Sequence, residues 1–430
     1  MSTKAIQPNE TLSQIRWWQL IVIFIGGGII FLLPYMRGTY YQSLQEALHV
    51  TNTQLGVIQS TFGILTILCY FPGGWLADRV SPRKLLTASF LLTGIGGFVY
   101  ATFPPFAVVV ALHFMFGITV GLTFWAAMIK STRLCGPANM QGRVFGILEG
   151  GRRFTSTLAA FIGVAVFTKY AAGVGGLRAV ILTYSSLYVV VGILTWFALS
   201  DSGESEVKSD EEKVTVANIT KVLRMPIVWI ISLIVLCAYV PFRNTDFLTP
   251  YLTKVCGVSA ATGALLGTIR YYGLGPVGAI TSGFISDKIN VSKAIIGCFV
   301  LIAIFNILYV VFPGGPKLIY FVVINMCVLM IALFAVRGVY FALLEEGHVP
   351  MVVTGIATGV VSTVGFLPDV FSPIIGGYFL DLHPGALGYK YIFMMSAVFA
   401  MIGILITYVF RSQIYGKIST ASMTDGQRIQ

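Results

Sequence analysis

The chain has few charged residues: Asp, Glu, Lys and Arg together make up 10% of its 430 residues. Soluble globular proteins carry about 25% charged residues, so this scarcity argues against a chain that exposes most of its surface to water. Hydrophobic residues make up 56% of the chain, and the mean hydropathy is +0.85. The composition therefore predicts a membrane protein.

Motifs for metal binding, nucleotide binding and catalysis are also lacking. The six cysteines show no CxxC or CxxH spacing, and the four histidines are isolated, with no HExxH. No Walker A loop occurs, which argues against ATP-driven transport by this chain, and no nucleophile or catalytic dyad stands out. We therefore expect no metal, no cofactor and no enzymatic activity.

Apolar runs recur along the whole chain. Each is near the ~20 residues that a helix needs to cross a ~30 Å hydrocarbon core. The runs are continuous and rich in Gly and Leu, unlike the alternating segments of about ten residues that are typical of outer-membrane barrels. The sequence therefore predicts an all-α membrane protein with twelve transmembrane helices. Their expected positions are 17–42, 52–76, 84–103, 105–129, 141–167, 179–199, 226–250, 260–284, 293–313, 317–342, 351–380 and 390–410.

Positive charge is distributed unevenly among the loops between these spans. The net charge is +11, and with the N-terminus inside, the cytoplasmic loops and tails hold 17 Lys and Arg whereas the outer loops hold five. This asymmetry follows the positive-inside rule and predicts a multi-pass protein of the cytoplasmic (inner) membrane with both termini in the cytoplasm. The net charge therefore needs no nucleic-acid partner.

One internal stretch, from Asp201 to Arg224, is clearly hydrophilic and lies between the sixth and seventh spans. Its charged and Ser-containing start is typical of a solvated linker. We therefore predict an N-terminal six-helix bundle at 1–200, a cytoplasmic linker at 201–225, and a C-terminal six-helix bundle with a cytoplasmic tail at 226–430.

The two halves repeat each other, most clearly after the second span of each half. GWLADRVSPRK, beginning at Gly74, matches GFISDKINVSK, beginning at Gly283, at an offset of 209 residues. A glycine lets neighbouring helices approach closely, and charges at a helix end can bind one another across a gate. The alternative is ordinary topogenic charge. The residues predicted to form a cytoplasmic gate are Gly74, Asp78, Arg79, Arg83, Lys84, Gly283, Asp287 and Lys288.

This motif resembles the GxxxDRxGxRK signature of the major facilitator superfamily. Ser81 stands where that family usually has Gly, and the second copy has Ser292 in place of the first Arg of the RK pair. The resemblance covers the whole chain. It implies two pseudosymmetric six-helix bundles around a midplane cavity, which move by rocking between inward-open and outward-open states.

Six arginines and no lysine lie inside the apolar spans: Arg37, Arg152, Arg153, Arg243, Arg270 and Arg337. Because a guanidinium at the centre of a span costs at least ~2.5 kcal/mol by insertion scales, such a residue normally faces a cavity, a partner or a ligand. Arg37 and Arg243 follow a Pro-aromatic pair in the first and seventh spans, at an offset of 206. We expect these repeat partners to bind one anion from both sides. The alternative is that an internal acid, such as Asp246, neutralises Arg243.

A narrower resemblance supports the anion. Tyr35-Met36-Arg37, the stretch from Tyr239 to Leu252 and the stretch from Tyr272 to Lys288 are similar to the organophosphate:phosphate antiporter family. In that family the paired arginines of the first and seventh helices bind phosphate, which implies this role for Arg37 and Arg243. Arg152 aligns with the family's binding histidine, and Arg153 follows it.

Three acids inside the spans are candidates for proton coupling: Glu149, Asp246 and Asp369. Glu149 shares a helix face with Arg152 and Arg153, either as a static buried ion pair or as a proton carrier. Asp369 follows Pro368, so it either caps or kinks that helix or titrates.

The remaining intramembrane residues have expected roles as well. Arg270 is expected to pair with Asp246, and Arg337 with Glu345 or Glu346. Aromatic residues are candidates for stacking on an organic substrate, although most aromatics in such a chain pack or face lipid. The aromatic candidates are Tyr35, Tyr40, Tyr41, Trp125, Tyr271 and Tyr272.

These patterns together predict a secondary transporter of a small organic anion: an organophosphate, a sulfonate, a sugar acid or a carboxylate. It would be energised by protons or by exchange for a counter-anion, and it is expected to act as a monomer in the bilayer. Two alternatives are a multidrug efflux proton antiporter, against which six intramembrane arginines argue, and a transporter-like anion sensor.

Overall fold

A computed structural model of the chain describes residues 15–200, 216–275, 277–278, 281, 289–312 and 314–426. The regular secondary structure within these residues is helical. The α-helices are α1 (Trp17–Ile29), α2 (Arg37–Leu48), α3 (Asn52–Arg79), α4 (Pro82–Tyr100), α5 (Phe106–Ile118), α6 (Trp125–Arg133), α7 (Gln141–Lys169), α8 (Val174–Ala198), α9 (Val216–Leu223), α10 (Pro226–Asn244), α11 (Leu248–Lys254), α12 (Ala260–Thr268), α13 (Val291–Val311), α14 (Ile319–Val339), α15 (Leu343–Glu346), α16 (Thr354–Gly365), α17 (Pro368–Leu382) and α18 (Ala386–Gly426).

Apart from α9, the helices of the described residues group into twelve segments at the twelve predicted positions. Eight continuous stretches of the described residues are each long and apolar enough to cross a bilayer, and α1 is a shorter apolar helix. The first segment differs from the prediction because it is broken. α1 ends at Ile29, the chain turns irregularly through 30–36, and α2 begins at Arg37. Pro34 lies in the break, where its ring disfavours helical geometry at the preceding residue.

The chain forms two compact units, one of Met1–Val50 with Val57–Ser209 and the other of Thr51–Gly56 with Asp210–Gln430. Most of the hydrophilic linker predicted at 201–225 lies outside the described residues, and α9 occupies part of the rest. The domain boundaries at 200 and 226 stay predictions.

In the first unit, α1 packs along α7, and α4 packs along α8. Glycines permit the first of these contacts. A Cβ on Gly27 would lie 2.8 Å from Arg152 Cδ, and a Cβ on Gly28 would lie 2.7 Å from the Arg152 backbone oxygen. Small residues allow two backbones to approach this closely inside a membrane. Gly27 and Gly28 therefore hold α1 against the middle of α7, which carries Glu149 and Arg152.

The second unit repeats this packing arrangement. α10, the counterpart of α1, packs along α16 and α17, and α13, the counterpart of α4, packs along α18. Gly365 of α16 is in close contact with α10, because its Cβ would lie 2.4 Å from Val235 Cγ1. The same pairing of first with fifth and third with sixth segments therefore recurs in each unit.

The first turn of α3 belongs to the second unit, where Asp381 of α17 binds two of its backbone N–H groups. The two carboxylate oxygens accept hydrogen bonds from the backbone N–H of Asn52 (3.0 Å) and of Thr53 (2.7 Å), and also from both side chains. The first N–H groups of a helix lack partners within the helix. Asp381 thus supplies the cap and a favourable negative charge.

Candidate functional site

Arg243 lies at the centre of a buried charge cluster in the second unit. It is in the last turn of α10 and is 2% exposed. Its Nε lies 3.2 Å from Asp369 Oδ1 and its Nη1 lies 3.6 Å from Asp246 Oδ2. Its Nη2 donates a hydrogen bond of 2.8 Å to the Tyr271 hydroxyl. Arg243 is therefore paired with internal acids in this structure, which is the alternative that the sequence left open.

Asp369 pairs with Arg243, beside the break at which α16 ends at Gly365 and α17 begins at Pro368. It lies in the first turn of α17, and Leu367, at the capping position, makes no side-chain cap hydrogen bond. The carboxylate is buried beside Arg243, and its Oδ2 accepts a hydrogen bond of 3.1 Å from the Tyr239 hydroxyl. An ion pair in a low-dielectric site is stronger than a cap bond, which explains the choice of partner.

Two short segments that depart from α-helical geometry bring Asp246 and Arg270 together. Asp246 lies in a 3₁₀ turn, Thr245–Phe247, and Arg270 lies in a π-helical segment, Ile269–Gly273. Arg270 Nη2 is 3.8 Å from Asp246 Oδ1, which confirms the predicted pair. The π-helical segment also directs the neighbouring Tyr271 to Arg243. Single π-turns of this kind occur frequently at functional sites.

Arg337 does not pair with Glu346, contrary to the prediction. Glu346 accepts hydrogen bonds from the Ser292 backbone N–H (2.8 Å) and from the Ser292 hydroxyl, at the start of α13. Arg411 Nη1 donates to the same hydroxyl at 2.8 Å. Glu345, the other expected partner, is exposed. Ser292, the departure from the family signature, thus binds Glu346, one of the two acids expected to pair with Arg337.

Arg337 instead contacts the same aromatic rings as Arg243. Its Cζ lies 3.8 Å from the centroid of the Phe242 ring and 5.1 Å from that of Tyr239. Arg243 shares both rings, at 4.9 and 5.5 Å. We call these residues, with Arg270, Asp246 and Asp369, the arginine cluster. It holds three guanidiniums and two carboxylates.

In the first unit, Arg37 is the first residue of α2, directly after the break in the first segment. It is 3% exposed, and its Cζ lies 5.0 Å from the centroid of the Tyr41 ring. Tyr35, within the break, makes an edge contact with Phe62 at 5.1 Å. Tyr41 is therefore a neighbour of Arg37, and Tyr35 packs against α3.

The predicted ion pair between Glu149 and Arg152 forms, but Glu149 is not buried. Their atoms lie 2.6 Å apart, with the Arg152 side chain 13% and the Glu149 side chain 53% exposed. Arg152 Nε also donates to the Gly27 carbonyl at 3.3 Å, and its Cζ lies 5.2 Å from the centroid of the Trp125 ring. Arg153, one residue further around the helix, is exposed. The pair therefore involves an exposed acid, held by an arginine that α1 orients.

Sequence reasoning missed part of the arginine cluster. It named both Tyr271 and Tyr272 as aromatic candidates, and of these Tyr271 binds Arg243, while the Tyr272 ring lies 5.2 Å from the Tyr271 ring. It left out Tyr239 and Phe242. Tyr239 could have been found, because it lies four residues before Arg243, and residues at that spacing share a helix face.

The predicted gate residues of the first unit lie around the end of α3. Asp78, Arg79 and Lys84 are exposed. Arg79 stacks on Trp75 with its Cζ 4.0 Å from the ring centroid, and Arg83 stacks on Trp196 at 4.1 Å.

Among the residues that the structure describes, no close helix approach occurs at Gly74, since a Cβ there would meet nothing within 4 Å. The approach occurs at Gly73, whose Cβ would lie 2.5 Å from the Gly121 carbonyl oxygen. Ser81 is the N-cap of α4, accepting from the Lys84 backbone, and its φ of −62° needs no glycine. Gly283, Asp287 and Lys288 lie outside the described residues.

Comparison with known proteins decides the family. The family model of the Major Facilitator Superfamily matches residues 19–368. The chain belongs to the Major Facilitator Superfamily. Among its relatives it is 31% identical to the inner membrane protein YqcE of Escherichia coli strain K12, over 94% of this chain and 96% of that protein. It is 30% identical to the inner membrane protein YihN of the same strain, over 92% of this chain and 95% of that protein.

Two further comparisons extend this result. A D-galactonate transporter of Escherichia coli O6:H1 is 23% identical over 91% of this chain and 95% of that protein. The crystal structure of a bacterial homologue of the human lysosomal transporter Spinster superposes with a TM-score of 0.71 at 14% identity, covering 96% of this chain and 99% of that chain. The chain is thus a major facilitator transporter with that superfamily's twelve-helix fold, and it is not an enzyme.

Proposed function

We propose that this major facilitator protein is a secondary active transporter of a small organic anion and works by alternating access. The arginine cluster of the second unit carries the proposal. Three guanidiniums there, those of Arg243, Arg270 and Arg337, face two carboxylates, those of Asp246 and Asp369. One positive charge is left in a site from which water is largely excluded. An anion entering such a site is stabilised far more than it would be in water.

Arg37 and Arg243 are the proposed substrate ligands. Both are buried, and both lie where the helical pattern of their segment changes, so that each guanidinium is held by neighbouring aromatic rings. The planar fork of Arg binds carboxylate, phosphate or sulfonate oxygens in a bidentate manner. The resemblance to a D-galactonate transporter supports a sugar acid, which carries a carboxylate. Arg152, Arg153, Tyr41 and Trp125 complete the proposed set in the first unit.

Energy coupling would use an acid that competes with the substrate for an arginine. Asp369 is the best candidate, because it binds Arg243 at 3.2 Å and an arriving anion would displace it. A displaced, buried carboxylate is stabilised by taking up a proton. Asp246 and Glu149 are the other candidates. Exchange for a counter-anion needs none of them.

Membrane orientation and assembly are part of the proposal. We propose that the protein lies in a cytoplasmic membrane as a monomer with both termini in the cytoplasm, as the distribution of Lys and Arg indicates. Fusing a reporter of cytoplasmic location to each terminus tests the orientation, and a signal from the opposite side at either end would contradict it.

Transport itself is tested with purified protein reconstituted into liposomes. Uptake of labelled D-galactonate, glycerol 3-phosphate and sulfoacetate is measured with an inward proton gradient, and again with unlabelled anion inside. We expect saturable uptake of at least one anion above that of empty liposomes, and loss of uptake in Arg37→Lys and Arg243→Lys. Movement of organic cations alone would refute the proposal. An anion that raises the unfolding temperature of the protein but never enters the liposomes would identify a sensor.

A further inference from the structure

We propose that Arg337 is a direct ligand for the transported anion and binds it through a carboxylate. This inference rests on the proposed function and adds to it a binding residue and the chemical group that the residue recognises. It draws on the described residues of the second unit alone.

The first step is the difference between Arg337 and the other two arginines of the cluster. Arg243 has carboxylate oxygens at 3.2 and 3.6 Å, and Arg270 has one at 3.8 Å. Arg337 has ring contacts, to Phe242 and Tyr239, and its Nη1 is buried with no hydrogen-bond partner among the described residues. A buried charged donor without an acceptor is unfavourable. Arg337 therefore has hydrogen-bonding capacity that an anion can use.

The second step is the distance between Arg337 and the proposed ligand Arg243. Both Cζ atoms lie near the Phe242 ring, at 3.8 and 4.9 Å from its centroid. The two guanidiniums are thus no farther apart than the sum of those distances, which is within the span of a small organic anion. Phe242 itself is buried on the same turn of α10 as Arg243. A substrate bound to Arg243 would therefore come within reach of Arg337.

The third step is the chemical group. A guanidinium stacked on an aromatic face has its plane fixed, which leaves the N–H groups at its edge for an acceptor in that plane. A carboxylate accepts two parallel N–H bonds in one plane and matches this edge. The cluster has one more guanidinium than carboxylates, so a single negative charge balances it. Both features favour a monoanionic carboxylate, such as that of a sugar acid.

The test is anion binding by the purified full-length protein, measured by calorimetry with D-galactonate and, separately, with glycerol 3-phosphate. Three variants are compared with the wild type: Arg337→Gln, Arg337→Lys and, as a control, Arg178→Gln. Arg178 also lies over an aromatic ring, 5.1 Å from the centroid of Phe103, but it belongs to the first unit.

We expect Arg337→Gln to raise the Kd for D-galactonate about 10- to 100-fold, the loss expected for one bidentate charged contact. Arg337→Lys keeps the charge but not the fork, so its Kd should be closer to that of Arg337→Gln than to the wild type. Arg178→Gln should bind as the wild type does. The unfolding temperature without ligand should change little in Arg337→Gln, because removal of a buried charge without an acceptor offsets the loss of the ring contacts.

Each contrary result has a distinct meaning. If the wild type binds the anion and Arg337→Gln binds it equally well, Arg337 is not a ligand, while the proposed function stands. If Arg337→Lys binds as the wild type does, Arg337 only balances charge and the inference is wrong. Tight binding of glycerol 3-phosphate without D-galactonate would overturn the carboxylate. If the wild type binds neither anion, this inference fails, and the proposed function fails too if the liposomes take up none of the three labelled anions.

Discussion

Replacing Arg243 with Lys is the most informative single substitution in this protein. The change keeps the positive charge and removes the planar fork. In the structure three nitrogens of Arg243 reach three partners, at 3.2 Å (Asp369), 3.6 Å (Asp246) and 2.8 Å (Tyr271). The shorter Lys side chain has a single ammonium, which cannot contact partners that lie in different directions around a guanidinium.

The size of the effect follows from these contacts. Lys should keep the ion pair with one carboxylate and lose the contact with the other carboxylate and the hydrogen bond to Tyr271. A hydrogen bond from a charged group contributes about 1.5–3 kcal/mol, so we expect a loss of about 2–3 kcal/mol of stability. For the substrate, exchanging a bidentate contact for a single one should weaken binding about 10- to 100-fold.

The assay is initial uptake into liposomes at a substrate concentration below KM, together with the unfolding temperature of the same preparation. Arg243→Lys should lose most of its uptake and still unfold cooperatively at a somewhat lower temperature. Arg178→Lys serves as the matched control, because it loses a hydrogen bond to the Ala101 carbonyl outside the proposed site and should keep the wild-type uptake. Uptake at the wild-type rate by Arg243→Lys would refute the assignment of Arg243 as a substrate ligand.

Three further predictions concern stability and reactivity. Gly28→Ala should reduce the yield of folded protein, because its Cβ would lie 2.7 Å from a backbone oxygen of α7. As a control, Gly142→Ala in α7 has nothing within 4 Å of its Cβ among the described residues and should be neutral or slightly stabilising in thermal unfolding. Equal yields of the two variants would contradict the close packing at Gly28. Asp381→Ala should cost about 1–2 kcal/mol by leaving the start of α3 uncapped, again read by thermal unfolding, and an unchanged unfolding temperature would show that the cap contributes nothing. Burial raises the pKa of the Cys135 thiol to about 12. The reactive thiolate is therefore scarce at pH 7, and its fraction increases only as pH rises toward that value. Maleimide should label Cys135 slowly in the folded protein and rapidly after denaturation.

The number and positions of the membrane segments could be predicted from the sequence because hydropathy is a local property. A run of about 20 apolar residues must form a helix in a bilayer, whatever its neighbours are. The same reasoning did not locate the break at 30–36, although Pro34 was visible. The place where a helix stops beside a proline depends on which neighbours can satisfy the freed backbone groups.

Some contacts of the candidate site could likewise be predicted from the sequence, and others could not. Arg243 and Asp246 are three residues apart, and this spacing alone indicates that the two can pair. The bond between Tyr239 and Asp369 joins positions 130 residues apart, and no spacing rule connects them. The exposure of the Glu149 side chain could not be predicted either, because an apolar run does not show which face of the helix packs against protein.

The sequence by itself determined that this chain crosses a membrane many times, that its halves repeat, and that six arginines lie within apolar spans. Each of these follows from composition and spacing along one chain. Only the tertiary structure decided that Asp369 binds Arg243, that Arg337 stacks on Phe242, and that Glu346 binds Ser292 instead of Arg337. The physical reason is that a buried charge selects its partner by proximity in three dimensions, and helix packing sets that proximity.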